Sequence, residues 1–247
     1  MPRFAVVSGG GTGIGRAITA ALAAEAVEVV VVGRRPEPLA ETVDTVNELV
    51  RAKLVRAISG DLCSVQEVQR VAAELRTQKI DVLVNNAGGN FAAQAAQDLA
   101  GVRQTWLDNL EGNILPTVLL THALLPLMAR PGGRIIAVTS IAALRGPATY
   151  GGAKAALHPW VYDLATQLAP QGITVNAVAP GYIPATEFYG ARMNPEFHAG
   201  RAAQNPMNRG GEVEEVAATV AHLCSPQAGF LTGQIIQING GAQLGRG

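Results

Sequence analysis

The chain has 247 residues, room for one large domain or two small ones, each with a full core. Lys plus Arg and Asp plus Glu number 19 each, so the formal charge is zero. Nucleic acid and anionic membrane surfaces reward a basic excess, and this balance excludes them as main partners.

Charged residues make up 15% and hydrophobic ones 48%, a globular rather than a disordered balance. Cys63 and Cys224 stand far apart and form no disulfide framework, which favours a reducing compartment. The apolar run at Phe4 meets glycines too soon for a signal h-region, and no stretch reaches the ~18 uncharged apolar residues of a membrane span. A soluble cytoplasmic protein is the expectation. His122, His158, His198 and His222 do not share metal-ligand spacings with the cysteines, so no metal site is expected.

In chain order, strands are predicted at Phe4–Val7, Val27–Val32, Leu54–Ile58, Val82–Val84, Arg134–Val138, Ile173–Val178 and Gln234–Ile238. Consecutive β-branched residues suit strands buried on both faces of a parallel sheet. Helices are predicted between them at 13–25, 36–50, 64–77, 97–129, 149–169 and 211–224. This alternation predicts a single-domain, doubly wound α/β fold: a seven-stranded, mostly parallel sheet with helices on both faces. Pro116 and Pro126 predict a break or bend in the 97–129 segment. Residues 182–211 contain Pro184, Pro195 and Pro206 and no strand; they predict a substrate lid over the carboxyl ends of the strands.

Between the first strand and first helix lies Ser8-Gly9-Gly10-Gly11-Thr12-Gly13-Ile14-Gly15. Glycines there permit a tight turn and let a pyrophosphate approach the helix N-terminus. The second strand ends in Gly33-Arg34-Arg35. Two guanidinium groups at that point favour the 2′-phosphate of NADP(H) over the free ribose of NAD(H). Glu37 is the one nearby acid that supports NAD(H).

With Tyr150-Gly151-Gly152-Ala153-Lys154 the sequence resembles the short-chain dehydrogenase/reductase family over essentially its whole length, in the 3-oxoacyl-thioester (acyl-carrier-protein) reductase-like branch. Ser8-Gly9-x3-Gly13-Ile14-Gly15 is similar to its glycine motif, with Ser in place of Thr. Asp61-Leu62, Asn85-Asn86-Ala87-Gly88, Asn109-Leu110-Glu111-Gly112, Pro180-Gly181 with Ile183 and Thr186, and the Leu231–Gly241 tail also match in order. The resemblance implies a Rossmann fold and a homotetramer or homodimer. It places Ser8, Gly9, Gly11, Thr12, Gly13, Ile14, Gly15, Arg34, Arg35, Asp61, Leu62, Asn86, Ala87, Gly88, Pro180, Gly181, Ile183 and Thr186 on the cofactor with Tyr150 and Lys154.

Tyr150 and Lys154 are neighbours on one helical face. An ammonium beside a phenol of ordinary pKa ~10 favours the phenolate, which fits Tyr150 for proton exchange with a carbonyl oxygen. By resemblance, Ser140 polarises that oxygen, Lys154 also binds the nicotinamide ribose, and Asn109 fixes a water that links Lys154 to solvent. Three departures from the family pattern stand out. The Ser140–Tyr150 loop is short, which makes Thr139 the reserve for the serine role and predicts a site open on that side. Pro159 interrupts the tyrosine helix, and Gln171 replaces a basic residue typical of carrier-protein reductases, although Arg130 and Arg134 are nearby cations. The expected activity is NADP(H)-dependent ketone reduction. Oxidation of a sugar, polyol or steroid alcohol is the first alternative, and a non-catalytic NADP-binding regulator the second.

Overall fold

The computed structural model describes residues 3–91, 98–190 and 193–244. Seven strands, β1 (Phe4–Ser8), β2 (Glu28–Gly33), β3 (Val55–Ser59), β4 (Val82–Asn85), β5 (Arg134–Val138), β6 (Thr174–Pro180) and β7 (Ile235–Ile238), form one sheet in the order β3-β2-β1-β4-β5-β6-β7. Every pairing is parallel. The order reverses between β1 and β4, and ligands of such sheets bind outside the carboxyl ends at that switch point. The register brings Ser8, Gly33, Asn85 and Val138 to one edge of the sheet.

Alternation along the strands divides the core into two layers. Val6, Val30, Leu83 and Ile135 point to one face, where α3 (Val65–Leu75), α4 (Leu99–Leu124) and α5 (Ala148–Leu168) cover them with Val71, Leu120 and Val161. Val7, Val31, Val84 and Ile136 point to the other, under α1 (Gly13–Ala24), α2 (Pro36–Val50) and α7 (Val213–Cys224), which bring Ile18, Leu39 and Val220. Helix ends follow local chemistry. Ser64 accepts from Glu67 N at the start of α3, and Glu212 and Glu215 form a capping box on α7.

Some boundaries correct the sequence reading. The segment expected at 97–129 is one helix through Pro116, and Pro126 only opens a 3-10 turn after it, at Leu125–Leu127. Residue 97 itself lies outside the described residues. Pro116 is buried, so tertiary packing holds the helix where propensity alone would break it. Leu99–Leu127 is also long and apolar enough to cross a membrane, but it packs against α3 and α5 in the core. Pro159 is likewise carried inside α5. The 182–211 segment, read from the sequence as a lid, holds a short helix, α6 (Pro195–Ala202), whose Asn194 cap accepts from Phe197 N; its residues 191 and 192 lie outside the described set. Arg130 and Arg134 do not form an exposed pair: Arg130 is at the surface and Arg134 is buried. Arg130 is bound to Gln171 and to the Leu125 and Met128 carbonyls, and Arg134 is buried against the Gly133 and Ser225 carbonyls.

Candidate active site

A cleft of about 860 Å3 runs across the carboxyl edge of the sheet, from Arg34 and Arg35 to Ser140 and Tyr150. Its nucleotide end is built from backbone. Gly9 and Gly13 have φ of +64° and +49°, conformations that disfavour any other residue. The helix that follows has no acid in its first turn, and its N-cap Thr12 makes no side-chain capping bond. The first N–H groups of a helix lack intrahelical partners, so this turn offers free donors and a positive dipole end to the cleft. A pyrophosphate fits that cradle. Arg16 braces it from behind, donating to the Gly11 carbonyl at 3.0 Å and pairing with Glu41 at 2.9 Å.

Of the expected cofactor contacts, Gly9, Gly11, Thr12, Gly13, Ile14, Arg34, Arg35, Asp61, Leu62, Asn86, Ala87, Gly88, Pro180, Gly181, Ile183 and Thr186 all line the cleft. Ser8 and Gly15 do not, and the reason is packing. The Ser8 hydroxyl accepts from Asn86 N and Ala87 N, each at 3.0 Å, and so joins β1 to the segment after β4. A Cβ on Gly15 would lie 2.1 Å from the Gly9 carbonyl oxygen, so this glycine lets the helix close on the turn. Asn86 completes the joint by donating to the Ser8 and Gly9 carbonyls. Glu37 sits in the first turn of α2 and is not among the lining residues, whereas both arginines are.

The catalytic end is built from side chains. Tyr150 and Lys154, one turn apart near the start of α5, are 8% and 4% exposed. Burial pushes the Tyr150 phenol up to about 12, more than its hydrogen bond with Ser140 pulls it down. Burial also brings the Lys154 ammonium down to about 8, and its Nζ donates to the Val138 carbonyl at 3.1 Å. In the protein alone, burial therefore works against the phenolate. Ser140 lies half-buried at the end of β5, and its hydroxyl also accepts from Ala142 N. Thr139 spends its hydroxyl on the Val178 carbonyl at 3.0 Å. The short Ser140–Tyr150 loop packs so closely on the start of α5 that a Cβ on Gly151 would meet the Ala142 carbonyl at 2.3 Å.

Asn109 is placed differently from the expectation. Its carboxamide accepts from Phe91 N and donates to Thr105 O, and neither it nor Asn113 is among the residues lining the cleft. Asn113, one turn on, exchanges two hydrogen bonds with Gly89 and turns its Oδ1 toward Gly88. A Cβ on Gly88 would lie 2.6 Å from Asn113 Oδ1 and 3.0 Å from Lys154 Nζ, so these two groups converge on one point. The sequence reading missed Asn113; the available signal was its position four residues after Asn109, on the same face. The sequence gathers Tyr182, Phe188, Tyr189 and Phe197 within 182–211, as aromatics that either line an apolar pocket or pack that segment onto the body; Phe188 and Tyr189 line the cleft, the Phe188 ring 5.2 Å from that of Tyr150 and 5.1 Å from that of Tyr189.

Known proteins share this arrangement over nearly the whole chain. Residues 9–243 match the family model described as enoyl-(acyl carrier protein) reductase. A 3-oxoacyl-[acyl-carrier-protein] reductase, FabG of Escherichia coli, is 33% identical over 98% of each chain. The short-chain reductase protein NovJ of Streptomyces niveus is 36% identical over 96% of this chain and 92% of that protein. Among solved structures, an actinorhodin polyketide ketoreductase with NADPH superposes with a TM-score of 0.84 at 30% identity, covering 98% of this chain and 97% of that one. With its parallel sheet, glycine turn and Ser-Tyr-Lys floor, this chain belongs to the short-chain dehydrogenase/reductase family of oxidoreductases.

Proposed function

We propose that the protein is an NADP(H)-dependent oxidoreductase that transfers hydride between nicotinamide and a ketone or secondary alcohol, acting on substrates of the 3-oxoacyl-thioester kind. One observation carries this reading: a buried Tyr150 hydrogen-bonded with Ser140 lies in the same cleft as two arginines at the end of β2. The similarity to FabG and to a ketoreductase with NADPH supports it.

The residues divide the work. The free N–H groups of the glycine turn hold the pyrophosphate, and Arg34 and Arg35 receive the 2′-phosphate through charge-assisted bonds. When bound, the nicotinamide supplies the hydride. Ser140 donates to the carbonyl oxygen and holds it beside the phenol, where negative charge develops. Tyr150 gives its proton to that oxygen in reduction and takes it back in the reverse reaction. Lys154 holds a proton behind the tyrosine, and Asn113, which meets it beside Gly88, takes the water-anchoring role first read for Asn109. Assembly as a homodimer or homotetramer and a cytoplasmic location belong to the same reading; exposed Phe230, Tyr162 and Trp106 support self-association.

Absorbance at the reduced-nicotinamide band tests the activity, with a 3-oxoacyl thioester and NADPH or NADH. Loss with NADPH alone is expected. Loss with NADH alone would overturn the cofactor assignment. No loss with either, followed by oxidation of a secondary alcohol, would replace the substrate class.

A further inference from the structure

Arg35 and Glu187 form an ion pair across the cleft, Nη2 to Oε2 at 2.6 Å. Arg35 immediately precedes α2, at the edge that reads the adenosine ribose. Glu187 lies after β6, at the base of the lid, 152 residues away in sequence. Its neighbour Phe188 packs on the ring of Tyr150 at 5.2 Å. Two consecutive lid residues thus touch opposite ends of one site: the carboxylate at the nucleotide edge and the phenyl ring at the acid–base tyrosine.

We propose that Glu187 is a cofactor-selecting residue: it occupies Arg35 until a 2′-phosphate displaces it, and the displacement lifts Phe188 off Tyr150. This rests on the NADP(H) reading above.

The physical argument has three parts. First, the pair is exposed on both sides, about 60% for each side chain, and exposed pairs are weak, so a dianion at Arg35 displaces the carboxylate at small cost. A neutral ribose hydroxyl has no such advantage. Second, one hydrogen-bonded turn holds Glu187 and Phe188 together. The Glu187 carbonyl accepts from Gly190 N at 3.1 Å, closing a turn over both residues. Thr186 fixes one end of the turn, its hydroxyl on the Ile183 carbonyl at 3.1 Å and its methyl against the glycine turn. At the other end Gly190 has φ of +50° and open space around it. Third, a ligand shifts a two-state element only if it binds the states differently. The 2′-phosphate does so, because Glu187 on Arg35 blocks it and a displaced Glu187 does not. Tyr150 is 8% exposed beneath Phe188, so the closed state keeps carbonyl substrates from the phenol until NADP(H) is in place.

The test uses adenosine 2′,5′-bisphosphate, which carries the 2′-phosphate but no nicotinamide, and 5′-AMP, which lacks both. In Phe188→Trp, read against wild type for Trp106 and Trp160, the bisphosphate is expected to change the fluorescence and 5′-AMP is not. Hydrogen exchange of wild-type residues 182–190 provides a readout free of that substitution and should accelerate with the bisphosphate alone. In Glu187→Gln, calorimetry should show the bisphosphate binding about two- to fivefold tighter, with 5′-AMP unchanged and the exchange response lost. Tighter binding of the bisphosphate than of 5′-AMP, with no response at residues 182–190, overturns the coupling and leaves the cofactor reading intact. Equal binding of the two nucleotides overturns both.

Discussion

At the nucleotide end of the cleft the protein presents backbone, and at the catalytic end it presents side chains. The pyrophosphate cradle consists of glycines at positive φ and uncapped N–H groups, with Arg16 and Asn86 bonded to its carbonyls from outside. The floor consists of Ser140, Tyr150 and Lys154, brought together from β5 and α5 and shifted in opposite directions by burial. The first end is rigid because its donors are part of the fold. The second is tunable because its properties come from how deeply three side chains are buried. Substitutions at the two ends should therefore fail in different ways.

The largest effect is expected at the floor. Tyr150→Phe keeps the ring packing on Phe188 and removes only the proton, so turnover should fall by ~10²–10⁴ while nucleotide binding is retained. Steady-state rates beside nucleotide titrations check this. A variant with near-normal turnover would remove Tyr150 from the chemistry.

Burial at the same end has a stability signature. The folded protein releases the Lys154 proton near pH 8, whereas the unfolded chain holds it to 10.5. Between those values the unfolded state binds more protons, so stability rises with pH. The cost of the buried charge is fully present below pH 8 and amounts to on the order of 3 kcal/mol. Tyr150 acts in reverse. Its folded pKa of about 12 lies above the ordinary 10, so stability falls as pH rises from 10 to 12. Urea denaturation from pH 7 to 9, below the range where the raised thiol of buried Cys224 lowers stability, should show the rise in wild type and none in Lys154→Met. A rise of equal slope in the variant would show that Lys154 is not its source.

At the nucleotide end the expected effect is smaller and of another kind. Gly15→Ala places a Cβ 2.1 Å from the Gly9 carbonyl and 2.6 Å from Asn86 Nδ2. The turn must shift, and if the cost of about 1–3 kcal/mol for overpacking falls on the nucleotide complex, affinity drops roughly five- to 150-fold. Turnover at saturating nucleotide should be largely kept, the opposite pattern to Tyr150→Phe. Equal loss of affinity in both variants would erase the distinction between the two ends.

The two ends also differed in how far they were legible. Glycine at a strand–helix junction has few other uses, and the valine-rich runs could only be buried strands, so the sheet and the cradle followed from local chemistry. Tyr150 and Lys154 were readable because helical spacing makes them neighbours. What lay beyond reach was long-range. Nothing local pairs Glu187 with Arg35, sets Phe188 on Tyr150, or says that burial outweighs the Ser140 hydrogen bond in setting the phenol. Ser8 and Gly15 matched the motif, but their work is behind the cradle, a distinction that only packing makes.

Asn109 and Asn113 show the same limit in one helix and supply the smallest expected effect. Both are fully buried on one face of α4, and both hold the segment after β4, Asn109 at Phe91 and Asn113 at Gly89. Only Asn113 reaches the point beside Gly88 where Lys154 Nζ also arrives. Alanine at either position leaves buried backbone groups unpaired and should cost about 1–3 kcal/mol of stability. Turnover separates them. Asn113→Ala should lose about tenfold, or about 1.4 kcal/mol of barrier, because proton supply to Lys154 is interrupted. Asn109→Ala should keep its rate once folded, since its carboxamide faces Phe91 and Thr105. Rates measured at a temperature where both variants are folded decide between them, and a larger loss in Asn109→Ala would return the water-anchoring role to that residue.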